Sequence, residues 1–297
     1  MEWILEWRSD ALTPIFKALT FLGDATFFLV FLPLGYWFWH RRIFGRTTLL
    51  LLLGTLLNTW LKAYFQLPRP SVEHLVEAEG WSFPSGHAQL AATVWPWLAL
   101  ELRRRWVWIP AILLVLGISA SRVYLGVHYP RDVMAGMAVG AVCVGAVWLG
   151  RTWWDRQEQV FGAREFVFLI LGPAILCFLT FPAPIDPLTA TAGGALVGFA
   201  VTLLVLGDVR LDRTLRWRSR ERLWMAAVLG LLGAFGLRAG LKPLLAALPV
   251  EEALAYFLRY GILGAWLAGL APLLFVALGL AEGWQGDKIG ENLRKEK

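Results

Sequence analysis

A chain of 297 residues that is 58% hydrophobic and only 17% charged carries too much apolar surface for a soluble fold, so its solvent is a membrane. Seventeen Trp and 18 Phe, against 6 Tyr, supply the aromatic load that anchors helices at bilayer interfaces. The net charge of +6 is gathered in Arg clusters between apolar runs, where it sets topology and requires no nucleic acid as partner.

In chain order, residues 2–20 place Trp3, Ile4, Trp7, Ala11, Ile15 and Leu19 at helical spacing, with Glu2, Glu6 and Asp10 on another face. This pattern predicts a helix lying in the interface, with a short tilted span as the alternative. The acidic start, lacking a basic region before an apolar run, does not read as a cleaved signal peptide. Apolar stretches follow at 25–39, 47–65, 85–102, 106–126, 130–150, 164–181, 189–207, 223–245 and 255–280. Most approach the length that crosses roughly 30 Å of hydrocarbon as a helix. A helix satisfies its own backbone groups in lipid, whereas a closed barrel shows alternating hydrophobicity. The expected fold class is therefore all-α: a polytopic membrane bundle of about nine transmembrane helices plus the N-terminal interfacial helix. Cys143 and Cys177 sit inside apolar runs as small hydrophobes and imply neither a disulfide nor a metal site.

Basic connections carry Arg41, Arg42 and Arg46, then Arg103, Arg104 and Arg105, then Arg151 and Arg156, then six Arg from Arg210 to Arg222. They alternate with acidic or nearly uncharged connections, so the basic set is expected in the cytoplasm, with Lys288, Arg294, Lys295 and Lys297 of the tail. The opposite side receives 66–84, 121–131, 181–189 and 246–254. The expected organisation is a core at 1–155, an additional four-helix region at 156–284 and a cytoplasmic basic tail at 285–297, with a seam near 151–163 in one membrane body.

Three segments on that opposite side put costly polar groups at the ends of apolar helices. The first runs from Lys62 to Arg69-Pro70, the second is Pro84-Ser85-Gly86-His87, and the third is Ser121-Arg122 followed by His128 and Asp132. Lys62, Arg69 and Arg122 offer positive charge, and Arg suits two-oxygen recognition of phosphate. Ser85 and Gly86 open a helix whose unpaired N–H groups can receive an anion. His128 and Asp132 are four apart, with Pro130 favouring a helix start between them. Asp132 accepting from one ring nitrogen fixes the tautomer and leaves the other lone pair free to attack. The residue types alone allow His87 and His128 to exchange the roles of nucleophile and acid/base.

Together these segments read Lys62-x6-Arg69-Pro70, Ser85-Gly86-His87 and Ser121-Arg122-x5-His128-x3-Asp132, which strongly resembles the membrane phosphatidic acid phosphatase superfamily (type 2 lipid phosphate phosphatases, related to vanadium haloperoxidases). The resemblance covers about residues 11–150, and the later helices resemble in outline the longer glucose-6-phosphatase-like members. It implies a multi-pass membrane hydrolase, and the alternation of basic connections puts its site on the extracytoplasmic side of the plasma (inner) membrane. In the implied chemistry His128 attacks phosphorus to give a phosphohistidine, Asp132 supports it, and His87 protonates the leaving oxygen and then activates water. Lys62, Arg69, Ser85, Gly86 and Arg122 bind the phosphate, with no metal and no cofactor. The implied substrate is a lipid phosphate or diphosphate, with a polyprenyl (undecaprenyl) diphosphate preferred. A lipid phosphotransferase, a soluble sugar phosphatase and a lipid transporter or flippase are the alternatives.

Other polar residues receive plainer expectations. His40 is expected in solvent, and His74 beside Glu73 and Glu77 in a solvated loop, where Glu73, Glu77 and Glu79 tune access for an anionic substrate or pair with cationic headgroups. Arg238, Lys242 and Arg259 are expected to anchor their helices at the interface, and the Gly193-Gly194 and Gly230–Gly240 runs to pack helices closely.

Overall fold

The computed structural model describes residues 2–155, 163–182, 184–206 and 215–282. The basic tail at 285–297 lies outside these residues, as do Arg156, Arg210, Arg213 and the 156–162 part of the expected seam.

Helices follow one another with little else between them. A 3-10 turn at Glu2–Trp7 leads to α1 (Leu12–Phe21) and α2 (Ala25–Leu34), which continues through a π turn at Gly35–Trp39. Next come α3 (Arg41–Phe65), α4 (Gly86–Leu102), α5 (Trp108–Tyr124) and α6 (Pro130–Asp155). The later half holds α7 (Ala163–Leu179), α8 (Pro187–Val205), α9 (Arg220–Ala246) and α10 (Glu252–Ala265), which a second π turn at Trp266–Leu270 joins to α11 (Ala271–Ala277). Two-residue strands β1 (Arg216–Trp217) and β2 (Ala281–Glu282) pair antiparallel.

Every one of the nine apolar stretches is helical, but six helical segments among the described residues are long and apolar enough to cross a membrane on their own. Counting α1 and α2 as one span bent by 54° raises this to seven. α4 and α7 are apolar but only 17 residues long. The N-terminal amphipathic stretch is not one continuous helix. It breaks after Trp7, and α1 begins where the Ser9 hydroxyl accepts from the Leu12 amide at 3.2 Å.

Local chemistry sets the ends. Asp24 caps α2 by accepting from Thr26 N at 2.7 Å, and Asp186 caps α8 by accepting from Thr189 N at 2.6 Å, with Pro187 at the first helical position. Inside α3, the hydroxyls of Thr47, Thr48 and Thr55 donate to the carbonyls four residues back, so none is left unpaired among apolar neighbours.

Small residues bring the helices together. A Cβ on Gly136 or Gly140 of α6 would sit 2.5 Å from the carbonyl oxygen of Ser85 or Gln89, so α4 and α6 touch almost backbone to backbone. Gly194 and Gly198 of α8 abut the main chain of Phe257 and Gly261 on α10 in the same manner. The expectation for Gly230–Gly240 holds only in part: Gly230 meets Trp37 and Phe275, and Gly233 meets Trp266, whereas Gly236 and Gly240 face open space.

The later helices dock on the earlier ones through their π turns. The second turn frees carbonyls that the first turn and its neighbour use: Tyr36 Oη and Arg41 Nη2 donate to Ala268 O at 2.9 and 3.0 Å, and Trp37 Nε1 donates to Leu267 O at 3.0 Å. One apolar core runs from Phe28 to Ala281 across this junction.

From α2 to α10 the chain direction alternates. The end of α3, the start of α4, the end of α5 and the start of α6 therefore gather at one end of the bundle. Arg46, Glu101 and Arg151 meet at the other, where Arg46 Nη1 and Arg151 Nη1 approach Glu101 Oε1 at 3.4 and 2.8 Å. Composition assigns these arginines to topology, and the fold also uses them as a buried tie among α3, α4 and α6. Arg259 donates to the Arg238 carbonyl across α9 and α10 and lies 5.2 Å from the Tyr260 ring centre.

Candidate active site

The floor of the site is polar and sits between α3 and α4. Asn58 Nδ2 donates to Gln89 Oε1 at 2.8 Å and to Pro84 O at 3.3 Å, while Gln89 Nε2 donates to Gly54 O at 2.8 Å. These bonds fix where α4 begins. A Cβ on Gly86 would lie 3.0 Å from Asn58 Oδ1, so the bare Cα lets the helix start settle onto that floor. The first-turn amides of Gly86 and His87 have no carbonyl one turn back, which leaves them available to an anion. The Ser85 amide is not available, because it donates to Asp132 O at 2.9 Å. Among the described residues Ser85 Oγ is buried without a hydrogen-bond partner, which leaves it free to contact a ligand.

Lys62 and Arg69 hold the loop above. Lys62 Nζ donates to Trp81 O at 2.7 Å. Arg69 spreads its donors over three carbonyls, Gly80 at 3.1 Å, Glu79 at 2.6 Å and Val127 at 2.9 Å, thereby joining the loop after α3 to the one after α5. Gly126 makes the second loop possible: its φ of +81° turns the chain out of α5. There a side chain would strike Glu73 O at 2.6 Å.

His128 is 2% exposed and Asp132 is fully buried. Asp132 stands in the first turn of α6 and reaches back to accept from Tyr129 N at 2.9 Å, which is half of a capping box and explains the Asp position after Pro130. The direct His128–Asp132 hydrogen bond expected from their spacing is not formed. His128 Nδ1 and Asp132 Oδ2 are 3.8 Å apart, and the hydroxyl of Ser82 stands between them, 3.2 Å from Nδ1 and 2.6 Å from Oδ2.

That geometry assigns the protons. A carboxylate only accepts, so the Ser82 hydroxyl proton goes to Asp132, and Ser82 Oγ in turn accepts from Nδ1–H. The lone pair then sits on Nε2, whose neighbour is Arg69 Nη1 at 3.4 Å, a group that offers only protons. Burial is the main cause that pushes the His128 pKa down to about 4, with Asp132 pulling upward and Arg122, Lys62 and Arg69 adding to the fall. The ring is therefore neutral at pH 7.

Of the eight residues expected in the site, all lie at this end of the bundle. The charges of Arg122, Lys62 and Arg69 all act on His87. Ser82, Asn58 and Gln89 carried no signal of their own in the sequence. Ser82 lies three residues before Ser85, and only the folded loop brings it to Asp132, 50 residues away. Replacing Ser82 by Ala removes a donor from Asp132 and an acceptor from Nδ1–H. The expected result is a kcat lower by about 10- to 100-fold with KM little changed, given roughly 1.5–3 kcal/mol for a charged hydrogen bond. Unchanged steady-state kinetics in Ser82→Ala would remove the relay.

Two residues of the loop after α3 have partners of their own. His74 Nε2 lies 3.0 Å from Pro70 O, and Glu73 pairs with Arg8 at 3.5 Å. Among the described residues no group of three or more His, Cys, Asp or Glu side chains is placed to hold a metal ion.

Known proteins are similar in sequence to this chain. A phosphatidylglycerophosphatase B of Bacillus subtilis is 35% identical over 147 residues, covering 45% of this chain and 72% of that protein. An undecaprenyl-diphosphatase of Sulfolobus acidocaldarius is 44% identical over 61 residues, 20% of this chain and 29% of its own length. The crystal structure of a transmembrane PAP2-type phosphatidylglycerolphosphate phosphatase from Bacillus subtilis aligns with a TM-score of 0.46 at 27% identity, covering 54% of this chain and 84% of that one. Residues 190–283 match the transmembrane extension of PAP2 superfamily phosphatases, where outline alone had suggested a glucose-6-phosphatase-like region. With residues 43–156 matching the PAP2 superfamily itself, and with the motif side chains gathered at one end of the helices that this match spans, the chain belongs to the PAP2 superfamily of phosphatases.

Proposed function

We propose that this membrane lipid phosphatase hydrolyses a polyprenyl diphosphate or related lipid phosphate at the extracytoplasmic face, through a phosphohistidine on His128. The observation that carries the reading is the orientation of His128, whose Nε2 lone pair faces Arg69 while Ser82 and Asp132 hold the far side of the ring. In that reading Nε2 attacks phosphorus and the P–O bond to the leaving group breaks. Lys62, Arg69, Arg122, Ser85 Oγ and the amides at Gly86 and His87 take the charge that builds on the equatorial oxygens. His87 gives its proton to the leaving oxygen, then takes one from the water that cleaves the N–P bond and regenerates His128. Three cations perform the neutralisation that a metal ion can supply elsewhere, so chelator is expected to leave the rate unchanged.

An apolar groove supports a lipid tail. Some 500 Å³ of space lies between α4, α5 and α6, lined by Pro96, Leu100, Ile112, Leu116, Met137 and Trp148. By helix rise these residues run from about 7 to 24 Å below the level of Asp132, which matches a long chain descending from a headgroup at the site. Burial of each methylene contributes about 0.8 kcal/mol, enough to select a lipid over a soluble phosphate. The alternation of Arg-rich connections supports the extracytoplasmic placement. The full count of nine spans belongs to the same reading, since the 17 residues of α4 or α7 cover about 25 Å and need only a locally thinned bilayer.

The test is phosphate release by the detergent-purified protein, with chelator present, from polyprenyl diphosphate, phosphatidylglycerol phosphate, phosphatidic acid and a soluble sugar phosphate. Release from the polyprenyl diphosphate at least about tenfold faster than from the sugar phosphate is expected, from fewer than two buried methylenes' worth of energy. Equal rates on the sugar phosphate would overturn the lipid reading, and labelled acceptor lipid without free phosphate would replace hydrolysis by transfer.

A further inference from the structure

Arg122 is 5% exposed, and its side chain makes one hydrogen bond among the described residues: Nη1 donates to Thr20 Oγ1 at 2.6 Å. Thr20 lies on α1, well before the part of the chain that matches the superfamily. Arg122 Nε is buried with no partner. The same corner reaches the second catalytic ring. A Cβ placed on Gly23 would lie 3.3 Å from His87 Cδ2 and 2.9 Å from Ile118 Cγ2.

The corner is held in register from the loop side. Tyr124 Oη sits 3.0 Å from Ser9 N and 3.1 Å from Thr13 Oγ1, and Phe16 stacks on the Tyr124 ring at 4.1 Å. These contacts fix α1 against α5, and with it the height of Thr20 against Arg122. Backbone bonds from Gly23 N to Thr20 O and from Asp24 N to Phe21 O, both 3.0 Å, then shape the turn that bends α1 away from α2.

We propose that the α1–α2 corner is a fourth wall of the site, in which Thr20 positions Arg122 for phosphate and Gly23 leaves His87 its space. The choice of acceptor has a chemical reason. A carboxylate bonded to Arg122 would neutralise it and compete with the substrate, whereas a hydroxyl fixes one corner of the guanidinium and leaves its full charge. With Nη1 held, the Nε–Nη2 edge keeps two parallel donors for two phosphate oxygens. Asp24, the nearby acid, acts on Arg122 through space without bonding to it.

This inference rests on the phosphatase reading, but it is tested with inorganic phosphate as the probe, which needs no lipid. Phosphate binding to the purified full chain is measured for wild type, Thr20→Val, Thr20→Ser, Arg122→Gln and the Thr20→Val/Arg122→Gln pair, with melting temperatures in parallel. Thr20→Val is expected to weaken phosphate binding about tenfold, equivalent to about 1.4 kcal/mol. Thr20→Ser keeps wild-type binding, and the Val change adds nothing once Arg122 is Gln. An equal loss in both Arg122 backgrounds, or wild-type binding in Thr20→Val, overturns the positioning role. Gly23→Ala supplies a second readout: it lowers kcat on the lipid substrate while phosphate affinity stays, and an unchanged kcat removes Gly23 from the wall. A wild type that binds phosphate through Thr20 and Arg122 yet hydrolyses no lipid phosphate would sink the phosphatase reading and spare this one.

Discussion

Replacing His128 by alanine is expected to abolish phosphate release, lowering kcat by about 10⁴-fold or more, the scale on which removal of an enzymatic nucleophile acts. The size follows from the geometry. His128 presents the one lone pair that both faces the cations and has its ring fixed from behind, through Ser82 to Asp132. Among the described residues His87 has no comparable hydrogen-bonded support, and its ring lies against Gly23. The two histidines are therefore separable by trapping. Brief reaction with labelled substrate, quenched in alkali, is expected to leave an acid-labile label on wild type and none on His128→Ala. With a substrate whose leaving group needs no proton, His87→Ala is expected to accumulate the label, because the hydrolytic half-reaction lacks its base. Label on His128→Ala that disappears in His87→Ala would reverse the assignment.

The same residue sets a pH dependence. Burial holds the folded-state pKa of His128 near 4, below the free value of about 6.5. The neutral ring is retained until the pH falls through 4, so the acid limb of kcat/KM is expected near pH 4. Ionisation of the substrate phosphate, near pH 6, is measured separately and divided out. The stability contribution has the matching sign. It is fully present above about pH 6.5, where both states hold a neutral ring, and is lost as pH falls from there toward 4, because the unfolded chain gains the proton first. An acid limb that stays near 6.5 after this correction would mean that the ring is solvated in the working enzyme.

Much of this site was legible because its parts are local. Lys62-x6-Arg69, Ser85-Gly86-His87 and His128-x3-Asp132 each lie within one helix end and its loop, so spacing in sequence carries over to spacing in the fold. Continuous apolar runs likewise fixed where the helices stand, although not how many of them cross, because that depends on the tilt and pairing of short members such as α4 and α7. What stayed hidden are single polar residues whose partners are remote. Ser82, Thr20 and Asn58 meet Asp132, Arg122 and Gln89 from 50, 102 and 31 residues away. A lone Ser, Thr or Asn is common enough that nothing distinguishes it until the packing is known. Ser82 also alters the chemistry, since four-residue spacing suggested contact between His128 and Asp132 where the fold places a hydroxyl. The amphipathic start shows the same limit: its periodicity suggested an anchor in the interface, whereas its polar residues at Ser9, Thr13 and Thr20 tie it to α5.

Replacing Glu101 by alanine is expected to destabilise the protein by about 3 kcal/mol, the lower end for removing one partner of a buried ion pair, without lowering phosphate affinity at temperatures where the fold persists. Glu101 and Arg46 have side chains 6% exposed, and Arg151 is 22% exposed. Both guanidinium groups approach the same oxygen, Oε1, so its loss removes the charge that offsets the repulsion between Arg46 and Arg151 among α3, α4 and α6. Repulsion there acts on the bundle end opposite the site, some 24 Å along α3 from Lys62. The effect should therefore appear as a melting temperature lower by roughly 6 °C or more, with inorganic phosphate binding unchanged. Glu101→Gln separates charge from hydrogen bonding, because it keeps an acceptor of the same shape but removes the negative charge. A Gln variant as unstable as the Ala variant assigns the loss to charge, whereas one close to wild type assigns it to the hydrogen bonds alone. Loss of phosphate binding in a still-folded Glu101 variant would contradict the separation of the two ends, because it would mean that α3 and α4 transmit the disturbance from Arg46 and Glu101 to Lys62 and Gly86.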